Sequence, residues 1–239
     1  MTINGIDIST FGARQTRITI DHHEWDHNYQ WTPGAVLPVY GISSIIPKQI
    51  VVVINVKGTG RQNLIAKRSA LLALLKERAE VVLDGYTNNF SVVMKDHKET
   101  EMAKARWHQI ELDLEGYEYG AAVTEQTTNA SSEALQITNP GNLVSPCCIE
   151  ITPRAGAQSI RLTGICRDSF TGEDLPVEIE DIIIGKVIKI DALTGQITED
   201  GSLKDMDIWA LPSLKPGVNS IGCNNANMTV KCTVTPFYE

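Results

Sequence analysis

Residues 49–83 read QIVVVINVKGTGRQNLIAKRSALLALLKERAEVVL, and this stretch decides the fold of the first half of the chain. Gln49 to Val56 is rich in β-branched residues and long enough to be a central strand. Gly58-Thr59-Gly60 ends that strand. Arg61 to Arg78 consists mostly of good helix formers, with Thr59 or Asn63 in position to cap its start. Its apolar residues recur at helical spacing and predict a helix that packs on a sheet: Leu64, Ile65, Leu71, Leu72 and Leu75.

Further strands accompany this helix. Thr16–Ile20 alternates between polar and apolar residues, and strand patterns resume at Val81–Leu83 and Phe90–Met94. Residues 110–115 read IELDLE, in which every second residue is apolar and the others are acidic. Because successive side chains of a strand point to opposite faces, this pattern predicts one buried face and one acidic, solvated face.

The second half of the chain has only strand patterns. Thr124–Glu133 is polar without apolar periodicity, so we expect a linker there between a first domain at 1–123 and a second at 134–239. Turn residues recur between short candidate strands, which predicts an antiparallel β-sandwich. The candidate strands are 134–138, 148–152, 159–162, 177–179, 186–190, 208–211 and 228–234.

The composition is that of an ordinary globular protein. The chain has 239 residues and a formal net charge of −8, with no block of lysine and arginine, so direct nucleic-acid binding is not expected. Apolar runs are too short to span a bilayer, and no signal peptide is visible, so synthesis in a cytoplasm is expected. The five cysteines are odd in number and form no Cys-x-x-Cys motif, which favours buried, reduced thiols.

The sharpest enzymatic pattern is HEWDH at His23–His27, which matches the H-E-x-x-H zinc-peptidase motif. On a helix the two histidines share a zinc ion while the glutamate activates water. The surroundings oppose that interpretation, because a strand pattern precedes the segment and Pro33-Gly34 soon follows it. No third ligand stands at the expected spacing. We therefore expect no catalytic residue, no metal site and no cofactor.

Several stretches together resemble the distal tail proteins of siphophages, which are baseplate hub ring subunits. They are INGIDI at Ile3–Ile8, WTPG at Trp31–Gly34, LQITNPG at Leu135–Gly141, ALPSLKPGVN at Ala210–Asn219 and TVKCTVTPFY at Thr229–Tyr238. The closing Pro-Gly-x-Asn turn before a terminal strand is the most specific of them. Pro216 fixes φ and Gly217 supplies a positive φ, which predicts a tight turn into the edge of the second sandwich.

The resemblance implies an architecture and a role. It implies an N-terminal β-sandwich with one flanking helix that closes into a hexameric ring, and a C-terminal, galectin-like antiparallel β-sandwich outside the ring. Such a ring joins the tail tube to the tail-associated hub protein at the virion tail tip, and in some phages it also anchors receptor-binding proteins. It carries no catalytic residue.

Residues 28–48 form a long segment with several aromatic residues and prolines and few helix signals. We interpret it as an extended arm or hairpin that contacts a neighbouring subunit, because aromatic side chains commonly anchor interfaces. The interface residues predicted on this basis are Tyr29, Trp31, Pro33 and Tyr40. A surface loop folded partly onto its own core is an equally good interpretation.

Two other functions remain open from the sequence. A carbohydrate-binding β-sandwich module would need an exposed aromatic platform, for which the second half offers Phe170, Trp209, Phe237 and Tyr238. A tail-tube protein would form stacked rings instead of a single one.

Overall fold

The computed structural model describes residues 1–22, 25–31, 33, 36–37, 39–102, 106–128, 134–154, 159–168, 171–206, 208, 210–225 and 227–239, with the backbone alone at 25–30 and 39–44. Residue contacts divide the chain into two compact units. The first is Met1–Tyr119 with Glu239, and the second is Gly120–Tyr238. Strands dominate both units, and one α-helix is present among the described residues, which confirms the mainly-β fold class.

The first unit is built on one main antiparallel sheet. Its strands lie in the order β2-β1-β7-β8-β9-β6-β3, while β4 and β5 form a separate two-stranded ladder. The elements are β1 (Thr2–Ile3), β2 (Ile6–Asp7), a 3₁₀ turn (Ile8–Phe11), β3 (Ala13–Ile20), β4 (Trp25–Gln30), β5 (Val39–Ile45), β6 (Lys48–Lys57), α1 (Arg61–Ala73), β7 (Ala79–Val82), β8 (Asn89–Glu101) and β9 (Trp107–Tyr119).

The core of this unit lies between the main sheet and α1. Alternate residues in the central parts of β6 and β9 are fully buried, namely Ile50, Val52, Ile54 and Val56 in the first strand and Ile110, Leu112 and Leu114 in the second. Leu64, Leu71 and Leu75 close the same cluster from the helical segment. Burying each such side chain stabilises the fold by about 1.5–3 kcal/mol relative to leaving it in water. The predicted alternation along residues 110–115 is confirmed, since the acidic residues between the buried ones remain partly exposed.

Helix α1 ends earlier than predicted. It ends at Ala73, not at Arg78, because the N–H groups of Leu74 and Leu75 donate to carbonyls only three residues back and the chain then turns into β7. Its N-cap is Gly60 rather than Thr59. The other predicted cap, Asn63, acts differently, because its side chain accepts a hydrogen bond from the Thr59 N–H at 3.2 Å.

The second unit is a sandwich of two antiparallel sheets. The larger has the order β10-β20-β12-β15-β16-β17, with β18 also paired to β12, and the smaller has the order β11-β19-β13-β14. The strands of the sandwich are β10 (Val123–Thr127), β11 (Leu135–Asn139), β12 (Ser145–Pro153), β13 (Ser159–Thr163), β14 (Val177–Glu180), β15 (Ile188–Asp191), β16 (Gln196–Glu199), β17 (Ser202–Leu203), β18 (Ser213–Leu214), β19 (Gly217–Cys223) and β20 (Met228–Val234). A two-residue strand, β21 (Phe237–Tyr238), follows them in the chain and belongs to neither of these sheets.

Beyond the short strands β16, β17 and β18, which were not predicted, three details of the second half differ from the sequence predictions. The start of the expected linker, Thr124–Thr127, lies in β10 and pairs with β20, while 129–133 lie outside the described residues. The expected strand at 208–211 is wrong, because the described residues there are irregular. Strand β19 was missed, and its neighbours β11 and β13 show that Gly217 leads into the interior of the smaller sheet instead of its edge.

The Pro-Gly-x-Asn turn itself is present. Gly217 has φ +86°, which an L-residue adopts only with strain. The Asn219 side chain closes the turn, because its Oδ1 accepts from the Lys215 N–H at 3.1 Å and its Nδ2 donates to the carbonyls of Lys215 and Gly217 at 2.8 and 2.9 Å. The Asn219 side chain therefore supplies the hydrogen bonds that hold the backbone of this turn in place.

A second buried asparagine holds one end of the sandwich together. Nδ2 of Asn139 lies within hydrogen-bond distance of the carbonyls of Leu143 and Leu214 and of Ser145 Oγ, at 3.2, 3.1 and 3.0 Å. Its Oδ1 accepts from Gly141 N–H at 3.0 Å. Ser145 Oγ also accepts from the Phe237 N–H at 2.9 Å. These bonds satisfy backbone groups that three different segments bury away from water.

We expect Asn139→Ala to lower the free energy of unfolding by about 3 kcal/mol, because it leaves buried carbonyl and amide groups without partners. The neighbouring Thr138 is exposed, and Thr138→Ala should cost about 1 kcal/mol or less. Urea unfolding followed by circular dichroism measures both. Equal losses from the two variants would show that the Asn139 network does not stabilise the sandwich.

The cysteines of the second unit give a pH-dependent prediction. Cys147, Cys166, Cys223 and Cys232 are buried and Cys148 is half-buried, all as free thiols. Burial raises the pKa of Cys148 to about 11, and burial likewise raises the pKa of Cys166 to about 11. The pKa of the Cys147 thiol is also raised above its ordinary value. The larger cause is a hydrogen bond with Cys232, and burial is the second.

At pH 8 we therefore expect about one part in a thousand of the Cys148 thiol to be the reactive thiolate. Ellman's reagent should react slowly with the native protein and faster with each unit of pH toward 11, because a raised pKa keeps the thiol protonated until that range. All five thiols should react at once in guanidinium. A thiol that reacts completely within seconds at pH 8 in the native protein would contradict this.

Candidate assembly surface

An arm extends the β3–β6 ladder of the first unit. We use "arm" for residues 25–45, in which β4 and β5 pair with each other and with no other described strand. The N–H of Asp21 donates to the Gln49 carbonyl at 2.9 Å, so the ladder of β3 and β6 continues up to the base of the arm. The long segment predicted as an arm or hairpin is therefore a β-hairpin in the structure.

The structure relates the four predicted interface residues to one another. Tyr29 and Tyr40 are register partners across the β4–β5 ladder, next to an irregularity between His27 and Tyr29. Trp31 directly follows β4, with 59% of its surface exposed. Pro33 is also exposed, in the turn that joins the two strands. All four thus lie in the outer half of one hairpin.

Two further residues at this tip were not predicted from the sequence. Val36 and Leu37 are 91% and 74% exposed, the former more than any other large apolar residue among those the structure describes. The signal that could have identified them is a run of aliphatic residues between two prolines, outside any helical or strand periodicity. Exposed aliphatic and aromatic side chains that cluster at a hairpin tip are typical of a protein–protein contact.

The arm also bears on the zinc-peptidase motif. His27 belongs to strand β4, whereas His23 and Glu24 lie outside the described residues. Four residues span about 13 Å along a strand but only about 6 Å along a helix, so a strand does not supply the setting in which H-E-x-x-H binds zinc. In the part of the chain that the structure describes, no group of three or more histidine, cysteine or acidic side chains is placed to hold a metal ion.

Two further sequence predictions concern a sugar-binding platform and membrane-spanning segments. Phe170 and Trp209, named for a sugar-binding platform, lie outside the described residues. Helix α1 is too short and too polar to cross a bilayer, and no other described helix meets that requirement.

Solved structures are similar to this protein over almost the whole chain. The SPP1 Dit protein, described as a paradigm of the hub adsorption apparatus in phages that infect Gram-positive bacteria, superposes with a TM-score of 0.73 at 13% identity. The match covers 99% of this chain and 98% of that one. This chain has the fold of SPP1 Dit. The resemblance to distal tail proteins is thereby confirmed at the level of the fold.

A component of the baseplate of phage p2 is a second structural neighbour. Two structures of that baseplate in its activated conformation, with strontium and with calcium, match with TM-scores of 0.53 and 0.51. Each is 13% identical and covers 95% of this chain and 92% of the other. No protein-family model matches the sequence, and no curated protein matches it. At this level of identity the likeness establishes the shared fold alone.

Proposed function

We propose that this protein is a non-enzymatic structural subunit of a phage tail tip or baseplate. In this proposal it forms a hexameric ring that connects the tail tube to the tail-associated hub protein and offers an anchor for receptor-binding proteins. The observation that carries the proposal is the fold shared with SPP1 Dit over 99% of this chain and 98% of that one. A match limited to a common β-sandwich would have covered only one of the two units.

The arm supports ring formation on physical grounds. A closed ring with more than two subunits uses heterologous contacts, in which one patch of a subunit meets a different patch of the next. A hairpin with an exposed apolar tip suits the donor side of such a contact. Trp31 is its best anchor, because large aromatic side chains dominate the energy of many interfaces.

The charge balance suits a place in the virion tail. A formal net charge of −8 repels phosphate, so a ring of such subunits would let DNA pass without holding it. Synthesis in the host cytoplasm and assembly at the tail tip complete the proposal.

The first test is the solution mass of the purified protein by light scattering, followed by negative-stain imaging. We expect a closed ring of about six copies of the 26.2 kDa chain, since cyclic assembly is what a connector requires. Rings that stack into long tubes would favour a tail-tube protein instead. A protein that stays monomeric at every concentration, and also in the presence of tail-tube and hub proteins, would contradict the proposal.

A second test addresses the arm. We expect Trp31→Glu with Leu37→Glu to abolish or weaken ring formation, because two carboxylates would then have to enter an apolar contact. Both residues are exposed in the single chain, so the melting temperature should change by only a few degrees. The readout is again the solution mass.

The matched control places the same charges on the second unit. Leu203 and Val218 are comparably exposed there, and Leu203→Glu with Val218→Glu should leave the rings intact. If the control breaks the rings and the arm variant does not, the arm is not the contact and the second unit is.

A further inference from the structure

The face of the main sheet opposite to α1 contains a groove at one end. It is about 430 Å³ in volume, and its lining includes Arg14, Thr16, Asn55, Lys57 and Trp107. Register places these residues together, because Arg14 is the partner of Asn55 and Lys57 is the partner of Trp107. They alternate with the buried Ile54, Val56 and Ile110, so they belong to the solvent face of the sheet.

The cations of the groove differ from those elsewhere on the same face. Arg17 and Lys98 both lie near Glu111, at 3.7 and 3.6 Å, and Lys95 lies 2.5 Å from Glu115. Arg14 and Lys57 are exposed and form no ion pair with any described carboxylate. On this face, Arg14 and Lys57 are therefore available to pair with a carboxylate of another molecule.

The remaining lining residues supply the other elements of a binding site. Trp107 is 46% exposed and offers an aromatic surface beside Lys57, its register partner. Asn55 Oδ1 accepts from Gln109 Nε2 at 3.5 Å, and the side-chain Nδ2 of Asn55 has no acceptor among the described residues. The groove therefore presents charge, a flat apolar surface and amide donors within one short stretch of sheet.

We propose that this groove binds an acidic, extended segment of a partner protein. Carboxylates of the segment would pair with Arg14 and Lys57, an apolar side chain would lie on Trp107, and Asn55 would donate to a backbone carbonyl. An extended peptide fits because its side chains repeat at the spacing of the strands beneath it. The proposal does not depend on ring formation.

A peptide fits this face better than a nucleic acid does. Glu111, Asp113 and Glu115 follow Trp107 along β9 on the same face, and they would repel a continuous chain of phosphates. A peptide carries separate carboxylates and can place them only at the two cations. Charge complementarity is therefore local, which favours a short acidic segment.

The test uses a fluorescein-labelled octapeptide in which glutamate and leucine alternate at every second position, with serine between them. In an extended chain both residue types then face the groove. Fluorescence anisotropy on the full chain at low salt measures binding. We expect saturable binding that weakens as salt is raised, because exposed ion pairs are screened. Arg14→Glu with Lys57→Glu should weaken it about tenfold, and Trp107→Ala should weaken it by a smaller factor. Circular dichroism checks that each variant is folded.

The control variant is Arg154→Glu with Lys215→Glu, which makes the same change of net charge at exposed positions of the second unit. We expect it to bind the peptide as the unchanged protein does. The proposal is wrong if the octapeptide does not bind, if its glutamine counterpart binds equally well, or if both double variants lose binding alike. It is also wrong if a single-stranded oligonucleotide binds the groove more tightly than the acidic peptide.

Discussion

The register between β6 and β9 is the constraint on which the first unit depends. These strands pair over ten residues, from Lys48 with Gly116 to Lys57 with Trp107. Because a strand has only two faces, this one register sends Ile50, Val52 and Ile54 to the core, while their neighbours go to the opposite face. A slip by one residue would expose the whole apolar row and bury the acidic residues of β9. The same register therefore determines both which residues form the core and which lie on the solvent face.

Close backbone contacts lie at both ends of this ladder, each at a glycine. A Cβ on Gly116 would lie 2.1 Å from the Ser91 carbonyl oxygen, so β8 and β9 approach there as only a glycine permits. At the other end, a Cβ on Gly58 would lie 2.8 Å from the backbone of Leu64. The glycine that ends β6 thus also lets the first turn of α1 lie directly over the sheet, which joins the two layers of the core.

Local periodicity predicted the apolar layers but not the contacts between distant segments. Helix α1 and the alternation in β9 followed from residues a few positions apart. Strand β19 could not be predicted in this way. Its inward-facing row begins with the buried Asn219, where alternation would call for an apolar residue, and the Asn219 side chain bonds to the preceding turn. The register of Tyr29 with Tyr40 depends on the length of a turn that spacing alone does not fix. The groove was beyond prediction, since it takes residues from three strands far apart in sequence.

The arm and the groove lie at opposite ends of the same pair of strands. The arm leaves the ladder after Ile20 and returns before Lys48, whereas the groove begins beside Arg14 and Lys57. Strand β3 has eight residues, which at strand spacing corresponds to about 25 Å between the two places. A hydrogen-bonded ladder of this length is stiff, so it holds the two surfaces apart. A neighbouring copy on the arm and an acidic partner in the groove could then be bound together, because neither needs the surface of the other. Such separation suits the proposed role, in which one subunit contacts different proteins of the same assembly.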